Sequence, residues 1–83
     1  MSMKKSELRD KIIAIMKGNP DGIDAYAITL KLAHPDKVGY RAFYTKYRAV
    51  RYHLDKLFRE HLAERMEPQQ SKMGLDKIPY RLK

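Results

Sequence analysis

The sequence predicts one mainly α-helical domain that ends in a small β-hairpin: three helices, then a wing of two or three short strands. Three observations carry this expectation. Apolar residues recur at three- and four-residue spacings in three separate stretches. Breaks rich in Gly, Pro and Asn fall between those stretches. Near the end of the chain, Ile78–Leu82 changes to a two-residue alternation, the period of a strand with one buried face. At 83 residues without a cysteine, the chain has the length of a single domain, 1–83, and no disulfide or thiolate metal site can supplement its core. The 43% hydrophobic content is enough for apolar packing to hold it.

The first helix is expected from about Ser6 to Lys17, on Leu8, Ile12 and Ile15, with Ile13 and Met16 widening the stripe. Ser2 or Ser6 is a candidate for its start. Gly18 stands at the C-terminal cap position, and Asn19-Pro20-Asp21-Gly22 cannot continue the helix. A brief extended step at Ile23 leads to Asp24, a good N-cap for a second helix. Ile23 and Ile28 are placed to staple its entry. Ala25, Ile28 and Leu32 form its buried side, and His34-Pro35 stops it near Ala33. A turn over His34–Gly39 is then expected. The third helix follows over about Tyr40 to Glu60, on Phe43, Tyr47, Val50, Leu54 and Leu57, a stripe that Phe58 widens. Leu62–Glu67 reads as a short strand, and Pro68–Lys77 has the composition of a loop. Ile78–Leu82 reads as a second strand, placed at an edge because Pro79 lacks an amide proton.

At this point the chain resembles the winged helix-turn-helix superfamily over nearly its whole length. The strongest part is Val50-Arg51-Tyr52-His53-Leu54-Asp55-Lys56-Leu57-Phe58-Arg59-Glu60-His61-Leu62-Ala63-Glu64-Arg65. It is similar to the end of a recognition helix, the turn after it and the first wing strand. Members often carry glycine at that turn, where this chain has His61. The likeness is one of apolar spacings and identifies no subfamily.

Charge points to a polyanion. Of the formal +8, residues 1–36 contribute +1 and residues 37–83 contribute +7; residues 37–51 hold five basic side chains and no acid. A field concentrated in this way attracts nucleic acid. At about 100° per residue, the side of the third helix opposite Val50 and Leu54 displays Arg41, Thr45, Arg48, Tyr52 and Arg59, flanked by Tyr44 and Arg51. Arg41, Thr45 and Arg48 are the candidates for base edges in a major groove; Tyr44 and Tyr52 are candidates for the backbone. The resemblance further implies contacts from the hairpin tip, at Gln69, Gln70, Ser71 and Lys72, with Lys77 assisting. The competing plain reading is a solvated helix face and a soluble turn.

Other classes find less support. Tyr40, Phe43, Tyr44, Tyr47 and Tyr52 alternate with Lys and Arg, a pattern compatible with base stacking. Phe43 and Tyr47 fall on the apolar side, however, so single-strand binding ranks below duplex binding. His34, His53 and His61 match no zinc-ligand spacing, and Asp55 and Glu60 carry no sign of acid–base chemistry. Neither a phosphate loop nor an apolar run of membrane-spanning length is present. The expectation is therefore a non-enzymatic, cytoplasmic, sequence-specific double-stranded DNA-binding protein, nucleoid-associated if prokaryotic. It would be a small transcription regulator without cofactor, metal, small-molecule ligand or membrane partner. A homodimer is left open, through the first helix or the edge at Ile78–Leu82. The alternative is a winged-helix protein-interaction module in a larger assembly.

Overall fold

The computed structural model describes residues 5–70 and 76–83. Three helices come first: α1 (Lys5–Lys17), α2 (Ala25–Leu32) and α3 (Pro35–Arg59). Four short strands follow: β1 (Ala63–Arg65), β2 (Gln69–Gln70), β3 (Asp76–Lys77) and β4 (Tyr80–Leu82). The architecture is mainly helical with a small antiparallel hairpin, a layout compatible with a winged helix. No described helix is long and apolar enough to cross a membrane.

Helix α1 buries Leu8, Ile12 and Met16; Ile15, expected in the stripe itself, is only partly buried, and Met16 takes the core position in its place. It begins at Lys5, so Ser6 lies inside the helix and cannot cap it; Ser2 falls outside the described residues. Gly18 ends it by donating to the Ala14 and Ile15 carbonyls, without a left-handed backbone. The Asn19 side chain adds a bond to the Ile15 carbonyl at 2.8 Å.

Gly22 does need its freedom. Its φ is 108°, and a Cβ there would run into the Met66 sulfur and the Pro79 ring. The next residue, Ile23, exchanges both backbone hydrogen bonds with Tyr80, each 2.9 Å. This corrects the expected edge position of the last strand. Pro79 sits just outside β4 and offers only its carbonyl, to Met66. The Tyr80 amide is left able to pair with Ile23, so β4 runs between Ile23 and β1. The edge considered for dimerisation is occupied at Tyr80.

Asp24 caps α2 as expected, its carboxylate accepting from the Ala27 amide at 2.9 Å. Thr29, which the spacing rule passed over, is fully buried because its hydroxyl donates to the Ala25 carbonyl at 2.7 Å. The satisfied hydroxyl lets a polar residue occupy the α2 core side.

The expected turn over His34–Gly39 is instead a helical turn. His34 Nδ1 accepts from the Asp36 amide at 3.2 Å, and Pro35 is preset for the first helical position. The break comes at Gly39 alone, with φ 83° and ψ 159°, values open in practice only to glycine. Beyond it α3 buries Phe43, Val50, His53, Leu54 and Leu57. Tyr47 is only half-buried. Phe58 is exposed at the rim, with the Arg65 guanidinium 4.4 Å from its ring centre.

The core is one cluster in which Leu8, Ile12, Met16, Ile23, Ile28, Val50, Leu54, Leu57 and Ala63 meet. After α3 the chain reverses at His61, which takes the left-handed conformation (φ 63°) without being glycine. The Leu62 amide bonds to the Leu57 carbonyl and the His61 amide to the Phe58 carbonyl. These are the two bonds of a Schellman cap. The hairpin pairs Ala63 with Leu82, Glu64 with Arg81 and Arg65 with Tyr80. It resumes with Gln69 opposite Lys77 and Gln70 opposite Asp76, so part of the expected loop is strand.

Candidate nucleic-acid interface

The apolar stripe of α3 faces the core, and this alone fixes what its opposite side offers. Arg41, Thr45, Arg48 and Tyr52 are exposed there, and Arg59 joins them near the end of the helix. Tyr44 and Arg51 are exposed on the flank toward the hairpin. The six candidates from Arg41 to Tyr52 therefore share one continuous surface.

The electrostatics of that surface divide along the helix. Asp55 pairs with Arg59 at 3.0 Å and with Arg65 at 3.6 Å. Glu60 holds Arg9 at 2.8 Å, and Glu64 pairs with Arg81 across the hairpin. Asp36 approaches His34 at 3.6 Å. Among the described residues, no ion pair involves Lys37, Arg41, Lys46, Arg48 or Arg51. The Arg51 guanidinium lies 5.8 Å from the Tyr47 ring centre, a contact that leaves its charge uncompensated. The Thr45 hydroxyl donates to the Arg41 carbonyl at 3.0 Å, so it presents its acceptor lone pairs outward.

An aromatic cluster ties this surface to the rest of the fold. Phe43, buried, lies 5.3 Å from both Tyr26 and Tyr44, edge to face, and 6.4 Å from Tyr47 in a stacked arrangement. Tyr44 meets Tyr47 at 6.4 Å, almost perpendicular. From the hairpin, Lys77 brings its ammonium to 5.3 Å from the Tyr26 ring. Lys77 is thus connected to α3 through Tyr26. Gln69 and Gln70 form β2, while Ser71 and Lys72 lie outside the described residues.

Sequence reasoning missed Tyr26. It follows the buried Ala25 on a short helix, and only the packing of α2 across α3 reveals its place. A shallow hollow of about 640 Å³ along the other flank of α3 was also not foreseen; Val38, Arg41, Ala42, Thr45, Lys46 and Ala49 line it. No group of three or more His, Asp or Glu side chains suited to a metal occurs among the described residues. Compared with protein-family models, with curated proteins and with solved structures, the chain matches none.

Proposed function

We propose that this chain is a winged helix-turn-helix domain that binds double-stranded DNA as a small, sequence-specific transcription regulator. In this reading α3 enters the major groove and the hairpin lies along the flanking groove or backbone. One observation carries it: residues 37–51 of α3 hold five cations and no acid, and among the described residues none of the five is in an ion pair, with Arg41, Arg48 and Arg51 exposed. Arg41 sits in the first turn after the break at Gly39, near the positive end of the helix dipole. A cation there is disfavoured by roughly 0.3–1 kcal/mol, and a bound phosphate reverses that sign.

The roles follow from side-chain chemistry. Arg41 and Arg48 can each donate two bonds to guanine, and Thr45 can accept from an exocyclic amine. Tyr44, Arg51, Tyr52 and Lys77 suit phosphates by their chemistry, and for Gln69, Gln70, Ser71 and Lys72 the same role rests on the winged-helix resemblance alone. The rival reading, a protein-interaction module, would draw on the hollow at Val38, Ala42 and Ala49. Its lining includes Arg41 and Lys46, which again suits an anionic partner.

The test is a titration with duplex DNA at several salt concentrations, comparing wild type with Arg41→Ala/Arg48→Ala. The wild type should bind, and the variant should bind at least tenfold more weakly. Its salt slope should stay near that of wild type, since a flattening of roughly 0.9 accompanies each phosphate contact removed and these two side chains are assigned to bases. Both residues are exposed, so the variant's unfolding free energy should stay within about 0.5 kcal/mol of wild type. Absence of duplex binding at low salt would sink the proposal. An equal loss on every sequence would make both arginines phosphate contacts and remove sequence reading by them.

A further inference from the structure

We infer that Tyr44 forms a stacking site for one unpaired nucleobase, at the point where a strand leaves the duplex bound on α3. This deepens the duplex-binding reading and rests on it. The starting point is an oddity of the surface. Tyr44 is 52% exposed, yet its ring is fixed in perpendicular contact with both Phe43 and Tyr47. Phe43 is buried and Tyr26 packs edge-on against it from α2, so two rings touch this exposed side chain and a third, from another helix, backs them. A residue that served only solubility would need none of this.

The chemistry of that ring selects its ligand. Bases inside a duplex turn their edges to the groove and cover their faces with their neighbours. An aromatic face gains its full contact only from a base whose own face is open, which means an unpaired one. The flank of Tyr44 suits the sugar–phosphate chain beside such a base, while Arg41, one turn before it on the helix, and Arg48, one turn after, stay with the paired bases. Arg51, beside Tyr47, completes a cationic frame on the hairpin side, and Lys77 stands beyond it at Tyr26. Among the described residues, no carboxylate pairs with any of these four cations.

The test compares a blunt 20-base-pair duplex with the same duplex carrying a four-nucleotide unpaired extension, by fluorescence anisotropy at one salt concentration. A 2-aminopurine in the extension reports stacking directly, as quenching. Wild type should prefer the extended duplex by about fivefold or more, the low end of what one base–aromatic stack contributes, and should quench the 2-aminopurine. Tyr44→Leu should bring the ratio of the two affinities to about one, whatever it does to either alone. Tyr44→Phe should keep both the ratio and the quenching. Equal affinity of wild type for the two duplexes, or a ratio that survives in Tyr44→Leu, overturns the stacking site while blunt-duplex binding stands. Binding of neither DNA overturns both this inference and the reading beneath it.

Discussion

Between Gly39 and Arg51, helix α3 presents arginines, a lysine and tyrosines to solvent, and its cations make no ion pair among the described residues. From Tyr52 to Arg59 the same helix buries His53, Leu54 and Leu57, and Asp55 there binds Arg59 and reaches across to Arg65 of the hairpin. The helix then closes with a Schellman cap at His61. Both halves bury apolar residues, Phe43 and Val50 in the first and Leu54 and Leu57 in the second. The contrast therefore teaches that one helix can pair its charges along one stretch and leave them open along another. Its second half is bonded to its neighbours, while its first half keeps its charge in reserve. Half-exposed ion pairs of this kind contribute little to stability, at most about 1 kcal/mol. Their larger effect is to remove positive charge from the second half, leaving the field concentrated on the other.

Substitutions that should matter in one half and not the other can break this comparison. The largest effect is expected at Leu54, fully buried in the second half. Leu54→Ala should lower the unfolding free energy by about 2–5 kcal/mol in a denaturant titration. A loss similar to that of the exposed Arg41→Ala/Arg48→Ala pair would show that burial at Leu54 does not anchor the helix.

Gly39 comes next. Nothing lies within 4 Å of where its Cβ would stand, so only the backbone resists a side chain. Gly39→Ala should cost about 1–3 kcal/mol, the range for holding a residue in a sparsely populated region. It should also realign the turn at Pro35–Val38 with the rest of α3, which amide exchange at Lys37 and Val38 would detect. An unchanged midpoint would mean that the break is easily straightened.

His61 should show the smallest change, with the opposite sign. A left-handed residue with a side chain is strained by about 1–2 kcal/mol, and glycine's greater chain entropy returns part of that. His61→Gly should therefore raise stability by about 0.5–1 kcal/mol in thermal unfolding. A loss would show that the imidazole itself supports the turn.

Much of the fold was legible because local rules governed it. The cap at Asp24, the stop at His34-Pro35 and the stripe from Phe43 to Leu57 each depend on residues a few positions apart. The readings that had to change depended on distant partners. Phe58 belongs to the periodic stripe of α3, yet it lies at the rim because the stripe is wider than the surface it packs on, and Arg65 covers it from another element. Pro79 was read from its missing amide, but the amide that decides the pairing belongs to Tyr80, and its partner Ile23 lies near the other end of the chain. The exposed side of α3 followed from helix geometry. The support of Tyr44 by Tyr26 did not, since no spacing rule connects α2 to α3.

The display face has a measurable length. It begins after the Gly39 break and ends where Asp55 neutralises its neighbours, so its working span is Arg41 to Tyr52. At about 1.5 Å of rise per residue, that span covers roughly 16 Å. At about 3.4 Å per base pair, that length equals four or five steps of a duplex. Four fully read positions recur by chance about once in 250 base pairs, far too often to mark a unique address among the roughly 10⁶ or more competing sites of a genome. On the duplex-binding proposal, a single copy of such a face would carry only a fragment of an address, and the remaining information would have to come from a second copy, a neighbouring protein or the shape of the DNA itself.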